Sequence, residues 1–227
     1  MKKRMLYPTV MVDIAIFSVD KGHLQVLLVH RANEPEKGLW ALPGGFLKTD
    51  EDDDLEAAAR RVLFDKIGVS TPHLQAVCTF SGRERDPRGW SISALYLALL
   101  PQELIHAVVK AKVDAVEWMD ARGHGLEMAF DHALHLQKAI DFLKDKVVRH
   151  ALPLHLMPAH FTLTALQRTC EAILGEPLDK SVFRRRLKAA QEKRLSQDPD
   201  LVELLGMKET GHQRPATLYK ARDGFTF

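Results

Sequence analysis

The sequence has few of the features that are typical of secreted or membrane-embedded proteins. Its 227 residues include only two cysteines, Cys78 and Cys170, which lie far apart. Two such residues are more typical of free thiols in a cytoplasmic protein than of a disulfide framework. No apolar run approaches the roughly 20 residues of a transmembrane helix, and the basic first residues are not followed by the apolar segment of a signal peptide. We therefore expect a cytoplasmic protein that does not enter a membrane.

Charge is nearly balanced over the whole chain but uneven along it. The formal net charge is +2. Residues 1–158 carry 20 Lys and Arg against 21 Asp and Glu, whereas residues 159–227 carry 12 against 9. The basic surplus therefore lies in the C-terminal third, and such an asymmetry favours a nucleic-acid-binding segment there.

The N-terminal two thirds mix strand and helix patterns. The alternating residues Val10, Val12, Ile14 and Ile16 predict a half-buried strand, and Leu24–Val29 predicts a more buried one. A helix is predicted from Asp53 to Ile67, where Gly68 provides a left-handed C-cap. Further strands are predicted at Leu74–Phe80, Ser91–Leu99 and Val113–Trp118, and a long helix at Glu127–Val148 with an apolar stripe of Phe130, Ala133, Leu134, Gln137, Ile140 and Leu143. The fold class is therefore α/β.

A different pattern follows the helix-breaking residues Pro153 and Pro158. The predicted elements are a helix at Thr162–Leu174, a tight turn at Gly175–Leu178, a helix at Asp179–Lys193 with Asp179 as N-cap, and a hairpin at Leu201–Arg222 with its tip at Thr210–Pro215. Helix, turn, basic helix and hairpin is the order of a winged helix-turn-helix. We therefore divide the chain into an N-terminal domain at residues 1–150, a linker at 151–160 and a winged helix domain at 161–227.

The second helix of this C-terminal domain has one apolar and one basic face. At 100° per residue, Phe183, Leu187 and Ala190 share a side that packs inward, opposite the basic residues. Arginine on the outer side suits guanine edges, and Lys or Ser suits phosphates. The candidate DNA-binding residues are Lys180, Ser181, Arg184, Arg185 and Lys188 on the helix, Arg214 and Lys220 on the hairpin, and Lys3 and Arg4 in a basic N-terminal arm. A module of this size usually acts in two copies, so we expect a homodimer on a two-fold symmetric operator.

The most informative motif runs from Leu42 to Val69. A Leu-Pro-Gly-Gly turn precedes an acidic run, Ala58-Ala59, Arg61 and Gly68, in the order of a Nudix box, which this segment resembles. In that box, glutamates at helix positions i, i+3 and i+4 hold Mg²⁺ against a diphosphate. The corresponding residues here are Val62, Asp65 and Lys66; counting forward from Gly45 instead places Ala59, Arg60, Leu63 and Phe64 on the motif. In either register we expect no catalytic residues and no metal site.

Together the two halves resemble the Nudix-related transcriptional regulators of NAD metabolism. The resemblance covers nearly the whole chain and rests on motifs that occur in one order: Leu42–Phe46, Ala58-Ala59 with Arg61, Arg85–Gly89, Phe130–His132, Phe161–Thr164, Leu178–Arg186 and Arg214–Tyr219. It implies a Nudix α/β/α sandwich followed by a winged helix. It also implies a repressor of NAD biosynthesis or salvage genes that ADP-ribose releases from DNA, with no cofactor required.

The same resemblance implies an ADP-ribose-shaped cleft. Arginines neutralise a diphosphate well because the guanidinium matches phosphate oxygens bidentately, and glycines permit close backbone approach. The candidate effector-binding residues are Arg31, Gly44, Gly45, Phe46, Arg61, Arg83, Arg85 and Arg88. The aromatic candidates for stacking on adenine are Trp40, Phe80 and Trp90.

Two other functions remain open at this level. One is a Nudix hydrolase similar to ADP-ribose pyrophosphatases, with a weak Mg²⁺ site assembled from Glu51, Asp52, Glu56 and Asp65. The other is a Nudix-like scaffold whose C-terminal domain binds protein instead of DNA.

Overall fold

The long first strand organises the sheet of the N-terminal domain. A computed structural model describes residues 7–68, 73–101, 104, 116–123, 125–149, 153–194, 201–208 and 216–221. The strands in these ranges are β1 (Thr9–Asp20), β2 (His23–His30), β3 (Trp40–Ala41), β4 (Gly44–Phe46), β5 (Leu74–Gly82), β6 (Ser91–Leu99) and β7 (Val116–Asp120). β1 pairs antiparallel with β2 and β4 and parallel with β6. β6 pairs antiparallel with β5, and β2 also pairs with β3 and β7.

Two helices cover the two faces of this sheet, which confirms the predicted α/β/α sandwich. Val12, Ile14 and Ile16 pack with helix α1 (Leu55–Ile67), whereas Ala15 and Phe17 pack with helix α2 (His132–Arg149). β1 is therefore buried on both faces, and the prediction of a half-buried strand was wrong. Alternate residues of β1 belong to two different cores, because successive side chains of a strand point to opposite faces of the sheet.

Helix α1 begins and ends through local side-chain and backbone signals. The Asp54 carboxylate accepts the Ala57 N–H at 2.7 Å, which satisfies a backbone donor that the first turn leaves unpaired. Gly68 ends the helix in the left-handed conformation at φ 73°, and its N–H donates to the Phe64 carbonyl. The predicted C-cap is confirmed.

Helix α2 differs from its prediction in start and orientation. It begins at His132 instead of Glu127, because Met128 forms a β-bridge with Trp40 and Phe130 has a positive φ of 54°. Its buried face comprises His132, His135, Leu136, Ala139, Ile140 and Leu143, whereas Ala133, Leu134 and Gln137 of the predicted stripe are exposed. The observed face includes the buried histidines His132 and His135, so it is rotated relative to the predicted one. A search for apolar residues alone does not detect buried histidines.

The C-terminal segment folds as the predicted winged helix. Helix α3 (Leu163–Leu174) begins at Thr162, whose hydroxyl accepts the Ala165 N–H, and helix α4 (Lys180–Arg194) begins where Asp179 accepts the N–H groups of Ser181 and Val182. Strands β8 (Leu201–Lys208) and β9 (Thr217–Ala221) form the hairpin, whose predicted tip at 210–215 lies outside the described residues. The core of this domain contains Leu166, Cys170, Phe183 and Leu187.

The segment expected to be a linker is packed against both domains. Leu154–Leu156 forms a short 3-10 helix. Leu154 and Met157 belong to the C-terminal core, while Leu156 joins the sheet core together with Ile173 of α3. The winged helix is therefore docked on the sheet domain. None of the helices in the described ranges is long and apolar enough to span a membrane.

The shifted face of α2 predicts unequal costs for two neighbouring leucines. Leu136 is 6% exposed and Leu134 is 51% exposed. We expect Leu136→Ala to lower the free energy of unfolding by about 2–5 kcal/mol through cavity formation. Leu134→Ala should change it by less than about 0.5 kcal/mol. Urea unfolding followed by circular dichroism measures both, and equal losses would contradict the assigned face.

Candidate functional site

A cleft of about 770 Å³ lies between the glycine turn, the end of β2 and the start of α2. Seven of the eight residues proposed from the sequence to bind the effector line this cleft: Arg31, Gly44, Gly45, Phe46, Arg61, Arg85 and Arg88. The tertiary structure brings them together from the residue after β2, from β4, from α1 and from the loop between β5 and β6. Asp13, Phe130 and His132 also line the cleft, although the sequence did not single them out for this site.

The two glycines of the turn allow close packing beneath the cleft. Gly44 on β4 lies directly opposite Asp13 on β1. A Cβ atom on Gly44 would lie 2.2 Å from the Oδ1 atom of Asp13 and 2.8 Å from the Val12 carbonyl oxygen. A Cβ atom on Gly45 would lie 2.7 Å from the Cγ2 atom of Val62. Neither position has room for a side chain.

A buried carboxylate forms part of the cleft floor. Asp13 accepts a hydrogen bond from the Ser93 hydroxyl at 2.5 Å, and its Oδ1 atom lies 3.7 Å from the Nε2 atom of His132. The Leu42 N–H donates to Nδ1 of His132 at 3.0 Å, so in the neutral ring Nε2 carries the proton that faces Asp13. Burial lowers the pKa of His132. Burial would raise the pKa of Asp13, but His132, His135 and Ser93 hold it well below its usual range.

Arg85 supports the cleft from below instead of projecting an unpaired charge into it. Its guanidinium donates to both Asp131 oxygens at 2.9 and 2.8 Å and to the Ser91 hydroxyl at 2.9 Å. The side chain is only 8% exposed. His135 lies 3.4 Å from Asp131 and stacks on Phe80 with 3.8 Å between ring centroids. Asp131 thus ties the β5–β6 loop to α2.

Two arginines lie close to an aromatic ring of the cleft. The Arg31 guanidinium lies 4.6 Å from the centroid of Phe130, and that of Arg88 lies 5.8 Å from it and 5.1 Å from Phe46. Arg88 is paired with Asp86, whereas Arg31 donates to the carbonyl oxygens of Pro35 and Asn33. Burial and the nearby Arg88 lower the pKa of Arg31. Both cations would gain from a bound anion.

Arg61 fastens the acidic loop to the glycine turn. It donates to both oxygens of Asp52 at 2.7 Å and to the Phe46 carbonyl at 3.0 Å. The hydrogen bonds from Arg61 lower the pKa of Asp52 to about 2. Arg61 therefore lines the cleft with its positive charge already paired, and its contacts hold the shape of the turn.

The predicted DNA face of α4 is exposed where the structure describes it. Lys180, Ser181, Arg184 and Arg185 are exposed, while Phe183 and Leu187 on the opposite side are buried. The Ser181 hydroxyl donates to Asp179 at 2.6 Å, so it also takes part in capping the helix. Lys220 lies on β9 and is half-buried. The Lys188 side chain, Arg214, Lys3 and Arg4 lie outside the described residues.

Comparison with known proteins assigns both halves. Residues 9–138 match the NUDIX domain model, and residues 153–221 match the model of the NrtR DNA-binding winged helix domain. The chain is 42% identical over 214 residues to the "ADPR responsive transcriptional repressor NtrR" of Acinetobacter baylyi, an alignment that covers 94% of this chain and 82% of the relative. The chain belongs to the NrtR family.

Two solved structures and one further relative are also similar to this NrtR-family chain. Shewanella oneidensis NrtR complexed with a 27mer DNA is 34% identical, with a TM-score of 0.83 over 94% of this chain and 93% of that one. The Nudix domain of the same protein, complexed with ADP ribose, gives a TM-score of 0.54 over 63% of this chain and 93% of that one. An ADP-ribose pyrophosphatase of Methanocaldococcus jannaschii is 35% identical over 56% of this chain and 70% of its own length.

The Nudix fold raises the question of a catalytic Mg²⁺, and the side chains of this NrtR-family chain do not fit one. Val62 is buried against Gly45, and Lys66 brings a positive charge to the cleft wall. All four carboxylates considered for a weak site are paired with cations: Glu51 with Lys48, Glu56 with Arg60, and both Asp52 and Asp65 with Arg61. Within the described ranges, no three His, Cys, Asp or Glu side chains come together as a metal site.

The aromatic residues of the cleft differ from the expected ones. Trp40, Phe80 and Trp90 do not line it, whereas Phe46 and Phe130 do. Arg83 is also outside the lining, with its guanidinium 5.9 Å from the centroid of Trp90. Phe130 belongs to a motif noted in the sequence, but the helix period assigned it to the core of α2. Its positive φ turns the chain before the helix begins, and no local pattern revealed that.

The close approach at Gly44 predicts a position-specific effect of adding one methyl group. Gly44→Ala forces the new Cβ against Asp13 and the Val12 carbonyl, so we expect a loss of about 1–3 kcal/mol in the free energy of unfolding. A Cβ atom on Gly82 of β5 would have no neighbour within 4 Å, which makes Gly82→Ala the matched control with a change below about 0.5 kcal/mol. Thermal unfolding of both variants checks this, and a tolerated Gly44→Ala would refute the assigned packing.

Proposed function

We propose that this NrtR-family protein is a transcriptional repressor of NAD biosynthesis or salvage genes, with ADP-ribose as the ligand that releases it from operator DNA. The observation that carries the proposal is the combination, in one chain, of an arginine-lined Nudix cleft, in which the described residues form no metal site, and an exposed basic helix in a winged helix. Similarity to the Acinetobacter repressor and to Shewanella NrtR, whose structures hold DNA and ADP-ribose, supports it.

The cleft suits a diphosphate that carries uncharged groups at both ends. Arg31 and Arg88 both lie close to Phe130 and would bind the diphosphate oxygens. Phe46 and Phe130 provide aromatic faces for a base or sugar. Asp13 stays ionised on the floor, so it repels a terminal phosphate and accepts hydrogen bonds from hydroxyl groups. ADP-ribose has this charge pattern, because its only charged part lies between adenosine and ribose.

The same cleft favours sensing over hydrolysis. A buried valine and a lysine stand where helix α1 would have to supply carboxylates for Mg²⁺, and the nearby acids are paired with Lys48, Arg60 and Arg61. A regulator that quickly destroyed its effector would report its concentration poorly. We propose that any hydrolysis of ADP-ribose by this chain is slow compared with its binding.

The DNA-bound form that we propose is a homodimer. A single winged helix contacts one half-site, and two copies related by a two-fold axis read a symmetric operator. Lys180, Ser181, Arg184, Arg185 and Lys188 of α4 would enter the major groove, while Arg214 and Lys220, with the arm residues Lys3 and Arg4, would contact the flanking backbone. Because operator DNA is its target, we place its action in the cytoplasm.

The first experiment is a mobility-shift titration of the full chain. DNA from upstream of NAD-metabolism genes should be shifted at moderate salt, and ADP-ribose should reverse the shift while AMP and ribose 5-phosphate should not. The recovered nucleotide, analysed for AMP after incubation with Mg²⁺, should be largely intact ADP-ribose. A shift that ADP-ribose leaves unchanged would sink the proposal, and rapid AMP release that Asp65→Ala abolishes would favour the hydrolase instead.

The effector site is tested by two arginine variants. Arg31→Ala removes a cleft cation whose hydrogen bonds go to carbonyl groups, so we expect ADP-ribose binding to weaken at least about tenfold, consistent with the loss of a charge-assisted contact. Arg83 does not line the cleft, so we expect Arg83→Ala to change affinity by less than about twofold. Calorimetry measures both, and equal losses would contradict this placement of the ligand.

The DNA face is tested by the salt dependence of operator binding. The double variant Arg184→Ala/Arg185→Ala should weaken binding and flatten the plot of log affinity against log salt by about 0.9 for each phosphate that the protein no longer neutralises. Arg60→Ala, which removes an exposed arginine from α1 of the other domain, should leave both quantities unchanged. Full operator affinity in the double variant would favour a protein-binding role for this domain.

A further inference from the structure

We propose that Arg122 is the positioning residue that joins the effector domain to the winged helix, and that ligand binding is communicated to DNA through this contact. The inference rests on the proposed function. It concerns how the cleft and the DNA face are coupled, since a ligand can shift an equilibrium only by interacting differently with the two states.

Arg122 follows β7 and caps a helix of the other domain. Its guanidinium donates to the Ala172 carbonyl at 2.8 Å and to the Ile173 carbonyl. These two carbonyls belong to the last turn of α3, where no intrahelical donors remain. A cation there also complements the negative end of the helix dipole. The Arg122 backbone is itself held, because its N–H donates to the Asp120 carboxylate at 2.8 Å.

The end of α3 is shaped around this guanidinium. Gly175 ends the helix with φ 80°, a conformation that side chains disfavour. A Cβ atom at Gly175 would also lie 3.1 Å from the Cζ atom of Arg122. Beside it, Ile173 is fully buried in the same cluster as Phe17 and Leu24 of the sheet. The helix is therefore seated on the effector domain by apolar contacts, and Arg122 determines its position at the C-terminal end.

The segment that carries Arg122 also forms part of the cleft wall. Val116 lies six residues before it, and Phe130 and His132 follow it; all three line the cleft. The Phe130 ring is contacted by Arg31 and Arg88, the cations that we expect to bind the diphosphate. A ligand that binds these arginines changes their contacts with the Phe130 ring and therefore acts on the β7–α2 segment that carries it.

Helix α3 is also tied to both DNA-contacting elements. Glu171 accepts the Leu178 N–H at 2.9 Å, and Gln167 donates to the Leu178 carbonyl at 2.8 Å, which holds the turn before α4. Leu166 and Cys170 pack with Phe183 of α4. Residue Phe161, just before α3, exchanges two backbone hydrogen bonds with Tyr219 of the hairpin. A movement of α3 therefore moves the winged helix as a unit.

The test compares operator affinity with and without saturating ADP-ribose. The ratio of the two dissociation constants measures the coupling, which for allosteric proteins is roughly 5–150-fold. We expect Arg122→Ala to bring this ratio at least about fivefold closer to one, while calorimetric affinity for ADP-ribose changes by less than about twofold. Arg122→Lys, which keeps the charge but not the planar fork, should recover part of the ratio.

Arg168→Ala is the matched control, because Arg168 is an exposed arginine of α3 that lines the same groove as Arg122. It should leave the ratio unchanged. If Arg122→Ala does not fold, Arg122→Gln, which keeps a neutral donor, replaces it with the same expectation. An undiminished ratio in a folded Arg122 variant, or equal losses at Arg122 and Arg168, overturns this inference alone. A wild-type protein that does not respond to ADP-ribose overturns both proposals.

Discussion

The close approach of β4 to β1 is the constraint on which the cleft depends. Gly44 leaves the space that the Asp13 carboxylate occupies, and Gly45 leaves space for Val62 of α1. These contacts place the glycine turn against the sheet on one side and against the helix on the other. The cleft above the turn keeps its shape because Gly44 and Gly45 carry no side chains that would push the turn away from β1 and α1.

Charge in the cleft is distributed by pairing. Arg61, Arg85 and Arg88 each have a carboxylate partner, in Asp52, Asp131 and Asp86 respectively. These pairs fix the loops around the site, and for partly buried groups they also avoid the cost of an uncompensated charge. Arg31 instead donates to backbone carbonyls. The site thus combines arginines that build its walls with one whose positive charge is better placed for an anionic ligand.

The fold was largely predictable, while the detailed site was less so. The caps at Gly68 and Asp179 were identified because such signals act within a few residues. Asp13 was not identified, because a single carboxylate inside an apolar strand gives no local sign of the Ser93 and His132 that surround it. The role of Arg85 was also out of reach, since Asp131 lies 46 residues away in the sequence. Phe130 was assigned to the apolar face of α2, but this helix begins two residues later, at His132.

The order of the two domains, the residue types along the Nudix box and the basic face of α4 could be read from the sequence alone, since each depends on residue types at fixed short spacings. Only the tertiary structure decided which arginines are paired with carboxylates, which aromatic rings reach the cleft, and where the effector domain contacts the winged helix. Those properties depend on partners brought together by strand pairing and packing, such as Arg122 with the carbonyls of Ala172 and Ile173. Contacts across such sequence separations have no periodicity from which they could be predicted.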